Sequence, residues 1–333
     1  MRGRYTDSNT VRQKNKYVRL LVTVGSILLA AGILFMIAKF SYNHFFKKYN
    51  SSINVDSLYK FWEAKDYKKV YDISNEIIAK DFLNNAARTL HGYSSFMLAA
   101  AQTESQSNQD LLDEAIINIR IALQYAKENM VPQLEYMLGK AYFYKDGMKN
   151  SADAEDGGEH ESHYYADLAI KYLTMSREAG FTADDLFEHL GFSYKALGET
   201  LNSIAAFSQV LDTPRESDKL LLAIAEQYCN AKETASAKQY LKRTKDKTQD
   251  DEIYLRASFL LAQICFDEGR YEEAEKQFNE ILEKDKKNVD AYYGLGLIYE
   301  KQGDDAEARA EYRKILAYSP RHYGARKKLA SGS

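Results

Sequence analysis

The sequence predicts an all-α protein in which one transmembrane helix precedes a solenoid of about seven helix pairs. Three observations carry this. Tyr292, Leu295, Gly296, Tyr299, Gly303, Ala308, Tyr312 and Ile315 fill the same slots as Ser258, Leu261, Ala262, Cys265, Gly269, Ala274, Phe278 and Ile281, thirty-four residues earlier. Only three prolines occur, Pro132, Pro214 and Pro320, and each falls at a repeat boundary, where no helical hydrogen bond is lost. Leu20 to Ala38 is nineteen residues without a charge, which at about 1.5 Å per residue approaches the roughly 30 Å hydrocarbon core of a bilayer.

One repeat shows why the pattern is helical. After Asp290, an N-cap candidate, Tyr292, Leu295, Ile298 and Tyr299 recur at steps of three and four and mark one apolar helix face. Gly303 ends that helix. A second follows with Ala308, Tyr312, Ile315 and Leu316 on one face, and Pro320 stops it. Gly296 and Ala308 are small where the two helices cross. Such a pair cannot bury its apolar face alone, so pairs must stack into a superhelix. The spacing resembles the tetratricopeptide (TPR) family, whose pattern runs W-x2-L-G-x2-Y, then A-x3-F, then P over 34 residues.

At 333 residues, with 45% hydrophobic and 28% charged residues, the chain is long and apolar enough for several stacked units. Its net charge of −3 hides a split: residues 1–49 carry +8, leaving −11 for the rest. A nucleic-acid partner, which needs a positive surface, is therefore not expected. Cys229 and Cys265 are the only cysteines; both fall on first helices of neighbouring repeats and read as small core hydrophobes rather than a disulfide.

Taken in order, residues 1–19 form a basic tail and 20–38 the membrane span. The apolar run is longer than that of a signal peptide, and no small-x-small cleavage site follows it. Tyr17 on one side and Phe40, Tyr42, Phe45, Phe46 and Tyr49 on the other suit interfacial aromatic belts. Six cations precede the span and three follow, so the N-terminus is expected in the cytoplasm and the repeats outside it, in the periplasm of a bacterium. Residues 39–54 are a juxtamembrane linker, and 55–130 hold degenerate repeats beginning with Phe61-Trp62, Val70 and Ile77.

Residues 131–180 form a unit with Leu138, Gly139, Tyr142, Ala169 and Leu173 in the family's slots, interrupted by an acidic insert at 146–162. Glu159, His160, Glu161 and His163 fit neither HExxH nor a calcium loop, so no metal is expected and the insert reads as a solvated loop. Residues 184–322 hold four stronger repeats, the first opened by a capping-box-like Thr182 to Asp185, and 323–333 a short capping helix and tail. The basic run Lys238, Lys242, Arg243, Lys245 and Lys247 reads as a solvated face.

No G-x-S-x-G, P-loop, dinucleotide fingerprint, CxxC or HExxH occurs. The expectation is therefore a non-enzyme with no cofactor and no small-molecule substrate. In the TPR family the first helices of successive repeats line the inner wall of the superhelix. Residues offset from the packing slots should face that groove: Tyr136, Lys140, Phe143, Glu188, Phe192, Lys195, Leu222, Glu226, Phe259, Gln263, Phe266, Tyr293 and Leu297. Open aromatic rings in a row mark a protein or peptide site. Some family members clamp a chaperone's C-terminal carboxylate with Lys and Asn; here those positions carry Tyr136, Glu188, Phe259 and Tyr293, which favours apolar anchors instead. The resemblance implies a protein-binding scaffold or adaptor, which the run Leu20 to Ala38 would anchor in a membrane, with possible homo- or hetero-oligomers. Its alternatives are a structural subunit of a large envelope assembly, such as a spirochaete flagellar-motor collar, and a cytosol-facing organelle import receptor.

Overall fold

The computed structural model describes residues 34–37, 39, 54–101, 106–155 and 163–331. From residue 54 onward these form fifteen α-helices and one 3-10 turn, with no strand among the described residues. They divide into two compact units, Met1–Leu98 and Ala99–Ser333.

The first unit holds α1 (Val55–Glu63), α2 (Tyr67–Lys80) and most of α3 (Asn85–Ala100). Asn54 and Ser57 start α1 with a reciprocal capping box, so the first free N–H groups have partners. Leu58, Val70, Ile77, Ala87 and Leu90 form its core, with Phe61 and Trp62 packed against them. Within this unit the Ser74 hydroxyl meets His91 Nδ1 at 2.8 Å, both side chains being buried. The expected membrane span lies outside the described residues except for 34–37, which are helical with Leu34, Phe35, Met36 and Ile37 all exposed. Among the described residues, no helix is long and apolar enough to cross a membrane.

The second unit starts with α4 (Gln106–Gln124) and continues as antiparallel pairs: α5 (Val131–Glu155) with α6 (Ala166–Glu178), α7 (Leu186–Ala196) with α8 (Thr200–Ser208), and α9 (Asp218–Asn230) with α10 (Thr234–Lys247). Then come α11 (Asp251–Asp267) with α12 (Tyr271–Lys284), α13 (Val289–Gln302) with α14 (Asp305–Tyr318), and the terminal α15 (Tyr323–Ser331) packed on α14. Each second helix packs on the next first helix. Each first helix from α5 to α11 also touches the next first helix, closer packing than any pair of successive second helices shows among the described residues. That asymmetry curves the stack with its first helices on the inner side.

Sequence chemistry sets the crossings. A Cβ on Gly191 would sit 2.4 Å from the Phe207 ring, and one on Gly296 2.4 Å from Tyr312. The aromatic ring of each second helix therefore lies on the first helix's backbone at a distance only glycine allows. At the link between the helices of a pair, Gly198, Gly269 and Gly303 take a left-handed conformation with φ from +71° to +86°. Lys232 fills the same slot at φ +61°, a conformation that costs a side-chain-bearing residue roughly 1 kcal/mol.

Three sequence expectations need correction. The N-cap of α13 is Asn288, whose side chain accepts from the Ala291 N–H, and Asp290 lies inside the first turn. Asp185 precedes α7 but makes no cap, because its carboxylate is drawn to another helix. The acidic insert does not open as a loop at Asp146: α5 runs on to Glu155. Asp146 itself is buried, accepting from the Tyr165 N–H at 2.9 Å and contacting His163 Nδ1 at 2.7 Å, so it pins the start of the next helix. Residues 156–162, with Glu159, His160 and Glu161, lie outside the described residues, and no cluster that could hold a metal occurs among those described.

Candidate functional site

The inner wall is built from α5, α7, α9, α11 and α13, which carry every expected groove residue. Their charged members are all engaged in ion pairs. Lys140 on α5 reaches Asp185 at 2.8 Å, and Arg215, before α9, reaches Glu188 on α7 at 2.7 Å. Lys195 on α7 and Arg256 on α11 both meet Glu226 on α9, at 2.6 and 3.0 Å, tying three units together. Burial raises the Glu226 carboxyl, but these two cations outweigh it and hold the group below its ordinary value.

Tyr136 is the clearest departure from the expected open groove. Its ring is 8% exposed, packs on Phe181 at 5.1 Å and belongs to the core with Leu173 and Leu190. Its hydroxyl donates to Asp185, and burial followed by that carboxylate pushes the phenol well above its usual range. His189, also buried, lies edge-on to Phe143 at 4.7 Å, and burial pushes its imidazole below the ordinary value. The other rings are half-buried on their own units: Phe192 on Phe207 at 4.9 Å, Phe259 on Phe278 at 6.1 Å, Phe266 on Tyr271 at 5.6 Å, and Tyr293 on Tyr312 at 5.6 Å. Leu297 is half-buried and Gln263 exposed. The aromatic positions thus form separate packed pairs, not a continuous open row.

Two of the expected residues do meet in open space. Leu222 and Phe259 line a cleft of about 580 Å³ formed by α9, α11 and the start of α13, with Ile281 of α12 at its base. Its apolar surface is completed by Leu255, Ile253 and Ile281, and its rim by Lys219, Arg256, Asp250, Glu252 and Asp290. Leu255 and Arg256 escaped the sequence reading, although each lies one helical turn from Phe259. A second cleft, about 760 Å³, opens among α10, α11 and α12. Its cations are largely committed: Lys238 to Glu268 at 2.8 Å, Lys245 to Glu280 at 2.7 Å, and Arg270 to Glu268 at 2.8 Å and Glu273 at 2.7 Å. With Arg243 on Asp212 and Glu216, and Lys247 on Glu216, the basic run is a set of staples between neighbouring units. Lys242, exposed like Lys247, is the member of the run without an ion pair among the described residues.

Cys229 and Cys265 are free thiols. Burial raises both above the ordinary value, outweighing at Cys265 an Arg270 guanidinium that donates to its Sγ at 3.3 Å. Neither thiol is expected to react with Ellman's reagent within minutes in the native protein, whereas both should react at once in denaturant. A fast native phase would show an activated cysteine.

The curved stack, its 34-residue period and its small-residue crossings define an all-α helical-repeat solenoid, similar to tetratricopeptide-repeat proteins. Comparison with known proteins agrees. The family described as the Tetratricopeptide repeat protein 21 C-terminal ARM domain matches residues 188–325. Tetratricopeptide repeat protein 21A of Mus musculus is 27% identical over 197 residues, 56% of this chain and 14% of that protein. Tetratricopeptide repeat protein 21B of Xenopus laevis is 26% identical over 137 residues, 40% of this chain and 10% of that one. The chain thus spans a small part of the relatives it matches. Among solved structures, the C-terminal part of a TPR repeat-containing protein from Cytophaga hutchinsonii superposes with a TM-score of 0.56 at 15% identity, covering 83% of this chain and 99% of that one. PilW, a type IV pilus biogenesis factor, gives 0.50 at 16% identity, covering 72% and 98%. At such identities these two structures show the fold alone.

Proposed function

We propose that this chain is a single-pass, N-terminally anchored scaffold that binds other proteins through the inner wall of its solenoid, on the extracytoplasmic side. It acts by binding alone. The observation that carries the reading is the α9–α11–α13 cleft, where half-buried Leu222, Leu255 and Phe259 stay open while the neighbouring wall charges are paired with each other. An apolar floor inside a satisfied polar wall suits a segment with apolar anchors. Anchoring rests on the charge-free run Leu20 to Ala38, and its orientation on the cationic excess before it.

The test is in-cell photo-crosslinking from Phe192 and Phe259, with Glu307 on α14 as an outer-wall control. A specific partner captured from the inner-wall positions alone is the expected result, and the partner's compartment fixes the topology. Crosslinks from Glu307 alone would overturn the groove reading. They would instead favour a structural subunit held by its outer surface, a reading that the exposed Leu201 on the second helix α8 would then support.

A further inference from the structure

We infer that the α9–α11–α13 cleft receives the segment Phe45-Phe46-Lys47-Lys48 of a second copy of this chain. The inference rests on the groove reading above and names its occupant. The floor offers Leu222, Leu255 and Phe259 over the buried Ile253 and Ile281, which calls for an apolar or aromatic anchor. The rim beside the starts of α11 and α13 carries Asp250, Glu252 and Asp290. The Asp250 carboxylate caps α11 by accepting from the Glu252 and Ile253 N–H groups, whereas Glu252 and Asp290 make no ion pair among the described residues. Of the two rim cations, Arg256 is held by Glu226, leaving Lys219. An occupant must therefore bring an apolar anchor with positive charge next to it.

The chain contains that chemistry. Phe45-Phe46 is followed directly by Lys47-Lys48, within the stretch 1–49 that carries +8 against −11 for the remainder. Two copies thus attract each other, basic stretch to acidic solenoid. Phe45 lies seven residues beyond Ala38, which at about 3.4 Å per residue lets it reach roughly 24 Å from the end of the apolar run, so docking draws it out of the interfacial belt. The segment and the repeats follow the same apolar run, so they share one side of a membrane in either orientation. Because the segment and the cleft are different surfaces, the contact is head-to-tail and can extend to a ring or filament.

The experiment uses the full chain as an equal mixture of isotopically light and heavy copies, with a photo-reactive phenylalanine analogue at Phe259 and mass spectrometry of the crosslinked peptides. The expected product joins the α11 peptide to the peptide holding Phe45 and Phe46, in mixed-isotope form. Yield should fall at least tenfold in the double variant Lys47→Glu/Lys48→Glu, and as far in Glu252→Lys/Asp290→Lys. Combining the four changes should restore it. A product uniform in isotope, or one insensitive to both reversals, overturns the inference. Capture of a different protein with no self-product overturns it too while leaving the groove reading intact. No product at all from Phe259 removes both.

Discussion

Phe207→Ala is expected to destabilise the α7–α10 region by about 3–5 kcal/mol, the usual cost of emptying an aromatic site in a close-packed core. The ring is fully buried on Val210, Leu220 and Ile224, meets Phe192 edge-on, and fills the space that Gly191 leaves open. Gly191 has no side chain that could move into the void, so relaxation is limited. In a stack of repeats each unit leans on its neighbours, so the loss should be local. Hydrogen exchange checks this: amides of α7 to α10 should exchange faster while those of α13 and α14 change little. Uniform acceleration along the chain would mean that the second unit unfolds as one block.

Asp185→Asn is expected to cost about 2 kcal/mol at neutral pH, the scale of a partly buried, charge-assisted hydrogen-bond network losing its centre. Asp185 accepts from Lys140 and Tyr136 and joins α5 to the start of α7. Burial raises its carboxyl, but the bonds from Lys140 and Tyr136 prevail and hold it below the ordinary value. A group that titrates lower in the folded chain stabilises it fully above the unfolded value, near 3.9, and loses that effect as pH falls toward the folded value. The gap between wild type and variant should therefore be constant from neutral pH down to about 5 and close as pH falls below about 4. Urea midpoints across that range are the measurement. A gap that persisted in acid would mean that the side chain's shape, not its charge, holds the contact.

The helices were legible because their determinants are local. The apolar steps of three and four, the glycine after α7, α11 and α13 and the boundary prolines all act within one turn or one link, so α7 to α15 fall where the period puts them. Even the exception, Lys232 in the left-handed slot, stands out once the period is known. Local rules failed where a short-range choice competed with a distant one. Asp185 had the look of a helix cap, yet its carboxylate goes to Lys140, forty-five residues back. Asp146 was read as the start of a loop but anchors Tyr165 across the insert.

The sequence by itself determined the period, the helix pairing and which residues sit on first helices, because those follow from spacing along one chain. Only the tertiary structure decided which of those residues are available. Tyr136 is in the core, Glu188 and Lys195 are paired with the next unit, and Leu222 and Phe259 remain open with Leu255 in one cleft. The reason is that a side chain's freedom on a curved stack depends on partners one repeat or more away, and helical periodicity carries no information about charge or ring contacts at that distance.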